Sequence, residues 1–325
     1  MNPWLDLEVQ IILWLRQTLP GMVGLFEGLT FLGNEMFFLL FLPLIYWSFD
    51  RGVGARLTVL FLLSAATNAM AKAVFNSPRP MDYAPARLEG LFDMDLAEAK
   101  ERYEATGNGF PSGHTQNSLT IWGYLASQAQ RLRESRFPAA RPLLLALAAL
   151  LILLVPLSRV YLAVHFPRDL AGGYVLGALL LVAFLQLEPI VTTRLAGLNL
   201  SRQIIIAAAI PLVAILIYPH EATVTAGATL LGMGVGFALE RRLLGFATAG
   251  PLWQRALRYA LGIAGMFVLY AGLKALFAGL APVLVWRFIR YTLMGLWGSF
   301  GAPWAFVKVH LADAGVPPQA TSAGG

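Results

Sequence analysis

The chain of 325 residues carries a formal net charge of +6, and 58% of its residues are hydrophobic against 13% charged, a balance that excludes an ordinary soluble globular domain. It contains no cysteine, which excludes a disulfide framework, a thiolate nucleophile and a cysteine-bound metal. Its basic residues fall in short loops between apolar segments and form no continuous stripe, so we expect no nucleic-acid partner despite a pI of about 9.7.

The first 33 residues predict an amphipathic helix on the membrane surface. Between Trp4 and Leu19, charged residues such as Asp6, Glu8 and Arg16 are interspersed with leucine, isoleucine and tryptophan. This mixture suits the boundary between headgroups and acyl chains better than the bilayer core. The basic, apolar and small-residue parts of a signal peptide are not recognisable, so we expect 1–33 to be an interfacial segment.

The following residues contain apolar stretches of about the length that crosses a bilayer as a helix. Nine such stretches lie near 34–49, 54–76, 113–130, 143–163, 168–188, 203–219, 222–239, 256–278 and 283–306. The expected fold class is therefore all-α, a polytopic transmembrane helical bundle of about nine spans. Within it, the spacing of Ala228, Gly232 and Gly236 predicts a helix face that packs closely against a neighbour.

Arginines mark alternate turns between these stretches. They are Arg51, Arg56, Arg131, Arg133, Arg136, Arg141, Arg194, Arg202, Arg241, Arg242, Arg255 and Arg258. Under the positive-inside rule these turns are cytoplasmic, so we expect 77–112 and 164–168 to face the opposite side, together with the N-terminus. Lys274, Arg287 and Arg290 would then lie in the outer halves of the last two spans, where they either snorkel to the interface or contact an anionic headgroup.

The first of three polar clusters ends the second span and reads Lys-Ala-Val-Phe-Asn-Ser-Pro-Arg-Pro over Lys72–Pro80. Two prolines flank Arg79 and favour extended backbone there, from which its guanidinium can form bidentate hydrogen bonds to phosphate oxygens. Ser64, Asn68 and Lys72 recur every four residues and predict one polar helical face turned into the bundle. Taken alone, Lys72 is also typical of a lysine that snorkels from a helix end.

The second cluster, Pro111-Ser112-Gly113-His114, opens the third span. Ser112 is a candidate N-cap, and the free backbone N–H groups with the positive end of the helix dipole favour an anion at this point. Gly113 allows a close approach to the backbone. His114 would lie beside such an anion, although a single histidine near a helix end is more often a structural hydrogen-bonding residue.

The third cluster begins with Ser158 and Arg159 at the end of the fourth span and continues across a short turn to His165 and Asp169. A carboxylate four residues after a histidine can hold one ring nitrogen. That contact fixes the tautomer and leaves the other nitrogen free to attack. Taken alone, Asp169 is equally an ordinary acidic residue in the first turn of a helix.

The predicted topology places the three clusters on the same membrane face. Together they supply three cations, two histidines and one carboxylate. Phosphoryl transfer needs charge neutralisation, an in-line nucleophile and a proton donor for the leaving oxygen. This set of side chains suits that reaction and requires no metal or other cofactor.

In type and spacing the clusters resemble the three motifs of the type 2 phosphatidic acid phosphatase (PAP2) superfamily, the lipid phosphate phosphatases, which share a site with vanadium haloperoxidases and glucose-6-phosphatase. The motifs are a lysine followed after six residues by Arg-Pro, then Pro-Ser-Gly-His, then Ser-Arg followed after five residues by His and after three more by Asp. They match Lys72–Pro80, Pro111–His114 and Ser158–Asp169.

The resemblance implies a role for each motif residue. His165 would be the nucleophile, Asp169 its partner, and His114 the acid that protonates the leaving group and later helps to activate water. The phosphoryl oxygens would be held by Lys72, Arg79, Arg159, Ser112 and the amide of Gly113.

The resemblance covers roughly 34–188 and leaves the last four spans unexplained. The extended layout with an external N-terminus is similar to that of glucose-6-phosphatase and the sphingosine-phosphate phosphatases. We therefore divide the chain into an interfacial segment at 1–33, a PAP2-like catalytic membrane core at 34–188, additional transmembrane helices at 189–311 and a flexible tail at 312–325.

The segment 81–109 is rich in acidic residues. They are Asp82, Glu89, Asp93, Asp95, Glu98, Glu101 and Glu104, against the basic residues Arg87, Lys100 and Arg102. Such a pattern is typical of a solvated surface helix. Its position between the first two motifs suggests the alternative of a lid that shapes access to the headgroup.

The expected function is hydrolysis of a lipid phosphomonoester, of phosphatidic acid, lysophosphatidic acid, phosphatidylglycerol phosphate or sphingoid phosphate type, through a phosphohistidine on His165. The expected partners are that substrate and the membrane lipids. An undecaprenyl-type polyprenyl diphosphate phosphatase or a lipid phosphotransferase would use the same histidine and remains an alternative. A non-catalytic transporter or scaffold with this fold would be expected to have lost motif residues, and none is missing.

The cysteine-free chain with short loops suggests a bacterial origin. We therefore expect a multi-pass protein of the cell (inner) membrane whose site faces the periplasm or the cell exterior.

Overall fold

The computed structural model describes residues 2–129 and 140–315, and in these residues every regular element is helical. The helices, in chain order, are α1 (Pro3–Thr18), α2 (Val23–Phe31), α3 (Glu35–Ser48), α4 (Arg51–Phe75), α5 (Pro80–Tyr83), α6 (Pro85–Leu88), α7 (Leu96–Arg102), α8 (Gly113–Gln128), α9 (Ala140–Tyr161), α10 (Pro167–Ala196), α11 (Leu200–Ile217), α12 (Glu221–Leu243), α13 (Leu252–Leu276), α14 (Val283–Leu296) and α15 (Ala302–Lys308). The predicted all-α class is confirmed.

The chain is a multi-pass membrane protein. Within the described residues, six helical stretches are long and apolar enough to cross a bilayer, or seven if α1 and α2 together form one bent span. The first two of these stretches are Arg51–Tyr83, which contains the first polar cluster, and Ala140–Tyr161, which contains the start of the third. The predicted count of nine spans stays a prediction, because three of the nine positions hold shorter helices.

Those shorter helices are α3 with 14 residues, α8 with 16 and α14 with 14. In α8 the side chains of Thr115, Gln116, Ser118 and Thr120 are fully buried, so this helix is solvated by protein and not by lipid. A π-helical segment at Trp297–Gly301 joins α14 to α15, and this continuous helical run is close in length to the span predicted near 283–306.

The predicted amphipathic helix from Trp4 to Leu19 is α1, but the N-terminal segment contains a second helix. Pro20 cannot continue the first helix, and Gly21 adopts a positive φ of 75° in the turn. As a result, α2 leaves at a bend of 117°. One face of α1 is buried, formed by Leu5, Val9, Ile12 and Leu15. Apolar residues on its other faces are exposed, namely Trp4, Leu7, Ile11 and Trp14.

The described residues form two compact units. The first consists of the described parts of Met1–Phe38 and Thr67–Leu187, and the second of Leu39–Ala66 and the described part of Glu188–Gly325. The units follow spatial contacts instead of chain order, so part of the predicted core at 34–188 belongs to the second unit. The predicted domain boundaries stay a prediction.

The core of the first unit surrounds the turn between α9 and α10. The buried face of α1 packs there with Val160, Tyr161 and Phe166, and with Met81 and Leu88 from the segment after α4. The helix pair α8 and α9 is joined by a hydrogen bond from the Ser118 hydroxyl to the Leu151 carbonyl, at 2.9 Å.

In the second unit, Trp47 is fully buried and donates from Nε1 to the Gly298 carbonyl at 2.9 Å. The predicted small-residue face of α12 packs against α14 and the π-helical segment. A side-chain carbon at Gly232 would overlap the Thr292 carbonyl, and one at Gly236 would overlap Ser299. The predicted close packing is confirmed.

Several of the arginines in the turns that are predicted to be cytoplasmic have structural partners. Arg51 pairs with the buried Glu240 at 2.8 Å, and Arg56 pairs with Glu188 at 2.6 Å. Arg258 is fully buried and donates to three carbonyls of the loop 247–249. Its role is therefore to close that loop, and its charge is not free at the surface. Arg131, Arg133 and Arg136 lie outside the described residues, as does the tail from 316.

The three cations predicted near the outer ends of the last spans also have partners. Arg287 pairs with Glu221 at 2.6 Å. Lys274 Nζ and the Arg290 guanidinium lie 5.9 and 5.4 Å from the centre of the Tyr270 ring. Aromatic faces stabilise cations in this arrangement. Their predicted contact with a headgroup stays a prediction.

Candidate active site

The third motif occupies the turn between α9 and α10. His165 Nδ1 lies 3.2 Å from Asp169 Oδ2, and the same oxygen accepts a hydrogen bond from the Phe166 amide at 2.9 Å. The side chains of both His165 and Asp169 are at most 2% exposed. The carboxylate therefore holds Nδ1 and leaves Nε2 as the free ring nitrogen.

Arg79 lies directly beside that nitrogen. Its NH1 atom is 3.4 Å from His165 Nε2 and donates to the Val164 carbonyl at 3.0 Å. Its Nε and NH2 atoms donate to the carbonyls of Gly107 and Thr106, both at 3.0 Å. The predicted extended backbone is present at Arg79, with φ −89° and ψ 162°, but it is these carbonyls that fix the guanidinium.

Arg159 is almost completely buried at the end of α9. It donates from NH1 to the Thr30 hydroxyl at 2.6 Å and from NH2 to the Tyr103 carbonyl at 2.7 Å. Its Nε has no hydrogen-bond partner within the described part of the chain. A buried guanidinium with an unsatisfied N–H is poised to bind an anion.

The second motif begins α8, as predicted. Ser112 is the N-cap and accepts from the Thr115 amide at 3.4 Å. Its own amide donates to the Asp169 carbonyl at 2.9 Å, so the second and third motifs are joined through the backbone. A side-chain carbon at Gly173 of α10 would lie 2.6 Å from the Ser112 carbonyl. The close approach of α10 to the start of α8 therefore requires glycine.

Asn68 supports this helix start from α4. Its amide group donates to Gln116 at 2.8 Å and to the Pro111 carbonyl at 3.3 Å. Its Oδ1 would lie 3.1 Å from a side-chain carbon placed at Gly113. Asn68 and Ser64 are both buried, which agrees with the predicted inward polar face of α4.

His114 is held by a residue that the motifs did not indicate. Its Nε2 lies 2.7 Å from Asn34 Oδ1, and its Nδ1 has no hydrogen-bond partner in the described residues. Asn34 lies in the turn between α2 and α3. Thr30 and Asn34 were both missed by sequence reasoning, because they fall in or beside the segment interpreted as interfacial and belong to no spaced motif.

The charges of the three motifs converge on His165. Burial lowers the pKa of its imidazole well below the ordinary value of 6.5, and the positive charges of Arg79, Arg159 and Lys72 lower it further. The imidazole is therefore neutral at neutral pH, the form in which a histidine can act as a nucleophile. The predicted site residues of all three motifs thus lie in one place.

The segment between the first two motifs forms an ordered cap that packs on α1 and α2. Met81, Leu88 and Ala99 are buried on its inner face, whereas its seven acidic residues are all exposed to solvent, as the sequence predicts. The alternative of a lid that shapes access to the headgroup stays a prediction. The carbonyls of Tyr103, Thr106 and Gly107 reach from this cap to the two arginines described above.

A cavity of about 340 Å³ lies between the cap and the N-terminal helices. It is lined by Arg16, Glu27, Phe92 and Tyr103, among others. The Tyr103 hydroxyl donates to Glu27 at 2.9 Å, and burial together with this carboxylate raises its pKa to about 12. The residue therefore lines the cavity with its side chain and contacts Arg159 with its carbonyl.

Among residues 2–129 and 140–315, no group of three or more histidine, aspartate or glutamate side chains is arranged to hold a metal ion.

Curated relatives include phosphatases from several eukaryotes. The chain is 28% identical to lipid phosphate phosphatase delta of Arabidopsis thaliana over 60% of this chain and 47% of that protein. It is 31% identical to human sphingosine-1-phosphate phosphatase 2 over 49% and 36% of the two chains, and 29% identical to bovine glucose-6-phosphatase 3 over 51% and 49%. The chain thus spans less than half the length of these relatives.

Among solved structures, the chain resembles the first transmembrane PAP2 type phosphatidylglycerolphosphate phosphatase from Bacillus subtilis. The TM-score is 0.44 at 23% identity, over 58% of this chain and 88% of that one.

Two family models match separate parts of the chain. The model of the PAP2 superfamily matches 53–192, which contains all three motifs. The model described as the PAP2 superfamily phosphatase, transmembrane extension, matches 224–314, the region of α12 to α15. The chain therefore contains a PAP2 superfamily domain followed by a PAP2 transmembrane extension.

Proposed function

We propose that this protein is a membrane-embedded phosphatase that hydrolyses a lipid phosphomonoester through a phosphohistidine on His165. The observation that carries this proposal is the geometry of His165, whose Nδ1 is held by Asp169 and whose Nε2 faces the guanidinium of Arg79. A nucleophile, its orienting carboxylate and a cation for the phosphoryl group are thus already in contact.

In the first step, His165 Nε2 attacks phosphorus and the bond from phosphorus to the leaving oxygen breaks. The imidazole becomes positively charged, and its Nδ1–H donates to Asp169. The cations beside His114 favour its neutral form until the anionic phosphate binds among them. In that complex His114 is protonated and gives its proton to the leaving oxygen, so the alcohol departs neutral. The product is a phosphohistidine and the dephosphorylated lipid.

In the second step, a water molecule attacks the phosphohistidine and passes a proton to His114. The bond between phosphorus and Nε2 breaks, the electron pair returns to the ring, and inorganic phosphate leaves. Both histidines thereby recover their initial protonation states. His165 and His114 thus act in both steps, as is expected of a double displacement.

The cations stabilise the charge that develops on the equatorial phosphoryl oxygens. Arg159 has an unpartnered Nε–H within the described residues, and Arg79 uses part of its donors on carbonyls that fix its plane. Lys72 lies within electrostatic range of both arginines. The start of α8 contributes the Gly113 amide and the Ser112 hydroxyl.

A lipid substrate is favoured by the surface next to this site. Val74 and Phe75 follow Lys72 in the last turn of α4 and are 79% and 59% exposed. Apolar side chains exposed beside a phosphate site can receive the acyl chain of a lipid while its headgroup reaches the cations. Relatives named for lipid phosphates and sphingosine 1-phosphate support the same class, and we place the site on the non-cytoplasmic side of a cell membrane.

The test is phosphate release by the detergent-purified chain from a panel of lipid phosphates, a polyprenyl diphosphate and glucose 6-phosphate. We expect release from the lipid monoesters, an acid-labile phosphoenzyme, and inhibition by vanadate, which imitates the five-coordinate transition state. Activity should persist in EDTA, because the proposed chemistry uses side-chain cations.

His165→Gln is the decisive variant. Its control is Arg255→Gln, a change at a half-buried arginine of α13 that donates to the Gly250 carbonyl. The first should form no phosphoenzyme and the second should behave as the wild type. Full activity in His165→Gln would refute the mechanism. Preference for the polyprenyl diphosphate would show that the substrate is a diphosphate and not a lipid phosphomonoester. Complete loss of activity in EDTA would indicate a metal enzyme.

A further inference from the structure

We propose that the turn formed by Gly33 and Asn34 positions the general acid, and that Asn34 is a positioning residue which holds His114 as the tautomer with its proton on Nε2. This inference rests on the proposed function of the site. It extends that function by a residue outside all three motifs, placed by the N-terminal segment of the chain.

The contact itself is short and specific. His114 Nε2 lies 2.7 Å from Asn34 Oδ1. An amide oxygen only accepts hydrogen bonds, so with this orientation of the amide the proton must be on Nε2. The other nitrogen, Nδ1, has no hydrogen-bond partner in the described residues and is left to exchange a proton with the leaving group or with water.

The turn is shaped to make this contact. A side-chain carbon at Gly33 would lie 2.7 Å from both His114 Cδ2 and Val155 Cγ1, so only glycine allows the turn to approach the ring so closely. The turn packs against the edge of the imidazole that carries Cδ2 and Nε2. The edge that carries Nδ1 is therefore the one available to a substrate.

The same short segment also places a cation. The Thr30 hydroxyl accepts from Arg159 at 2.6 Å, and the Thr30 carbonyl accepts from the Gly33 amide at 2.9 Å. The Asn34 carbonyl in turn accepts from the Phe38 amide at 3.3 Å, which anchors the turn to α3. The end of α2 thus sets both the acid and one phosphate-binding arginine.

The tautomer matters in both steps of the reaction. In the first step the proton on Nδ1 passes to the leaving oxygen, while the proton on Nε2 stays with Asn34. In the second step the lone pair on Nδ1 takes a proton from the attacking water. If the ring could rotate, or if its single proton were on Nδ1, the Nδ1 lone pair would not be available to accept the proton from water.

The experiment uses leaving-group dependence. Asn34→Leu removes the acceptor at nearly constant volume, and Asn34→Asp keeps an oxygen at the same position. Both are compared with wild type for kcat/KM on decyl phosphate and on a nitrophenyl phosphate bearing the same decyl chain. A nitrophenolate departs without protonation, whereas an alkoxide does not. Asn199→Leu, at the cap of α11, is the matched control.

We expect Asn34→Leu to lower kcat/KM for the alkyl phosphate by about 10- to 100-fold, part of the 10²- to 10⁴-fold that general acids contribute. Its kcat/KM for the aryl phosphate should change by less than about threefold, and Asn34→Asp should restore most of the alkyl activity. An equal loss on both substrates, an unaffected Asn34→Leu, or an Asn34→Asp as impaired as Asn34→Leu would each overturn the inference.

Failure of the proposed function would look different. In that case the wild-type chain would form no acid-labile phosphoenzyme, and His165→Gln would leave activity intact. A normal phosphoenzyme with no leaving-group effect in the Asn34 variants would remove only the positioning role.

Discussion

The contact between Asp169 and His165 gives a prediction that depends on one detail of the structure. In Asp169→Asn, the amide could present either its oxygen or its NH₂ group to His165. The Phe166 amide decides between them, because it donates to the same carboxylate oxygen at 2.9 Å. An NH₂ group at that position would face another donor. The asparagine should therefore turn its carbonyl oxygen to His165 and preserve the correct tautomer.

The expected loss is then only the loss of charge. A hydrogen bond to a charged group contributes about 1.5–3 kcal/mol and a neutral one about 0.5–1.5 kcal/mol. The difference of about 1–2 kcal/mol corresponds to about a 5- to 30-fold decrease in kcat. A histidine held in the wrong tautomer would lose far more, about 10⁴-fold in the serine protease triad. Asp169→Ala, which removes both contacts, should approach that larger loss.

The assay is phosphate release from a lipid phosphate in detergent micelles, with thermal unfolding measured on the same samples to show that each variant is folded. The ordering expected is wild type, then Asp169→Asn, then Asp169→Ala, with the two variants separated by at least about tenfold. If folded Asp169→Asn were as inactive as Asp169→Ala, the reasoning from the Phe166 amide would be refuted.

Three further predictions follow from burial, packing and hydrogen bonding. The unfolded chain binds a proton on His165 near pH 6.5 and the folded chain does not. The unfolding temperature should therefore decrease as the pH is lowered from about 7 to about 5.5, and it should decrease less in His165→Gln. Gly173→Ala places a carbon 2.6 Å from the Ser112 carbonyl and should cost about 1–3 kcal/mol in denaturant unfolding. Gly24→Ala, with open space around it, should be neutral. Arg159→Lys cannot keep both contacts of the guanidinium, and steady-state kinetics should show kcat/KM reduced by about tenfold or more.

Chain composition was sufficient to predict the helical membrane class. A hydrophobic fraction of 58% with long apolar stretches leaves few alternatives to a helical membrane bundle. The count of spans was harder to predict, because hydropathy cannot separate a lipid-facing helix from one buried in protein. The helix α8 illustrates this, since its polar residues are buried by neighbours and its 16 residues fall short of a typical span.

The three motifs and their local geometry were also readable from the chain. Each motif carries its local geometry within a few residues, as the i to i+4 contact of His165 with Asp169 and the N-cap at Ser112 demonstrate. Such contacts depend on backbone spacing alone, so a sequence pattern predicts them. Their convergence was inferred from topology, and the structure places the three motifs together.

The tertiary structure alone decided what holds those groups in place. The carbonyls that fix Arg79, the Thr30 hydroxyl on Arg159 and the Asn34 amide on His114 come from segments with no spaced motif. A backbone carbonyl exists at every residue, and an isolated threonine or asparagine is common in any turn, so sequence carries no signal for them. Only the folded chain brings the end of α2 and the cap to the motif residues, because those contacts join positions far apart along the sequence.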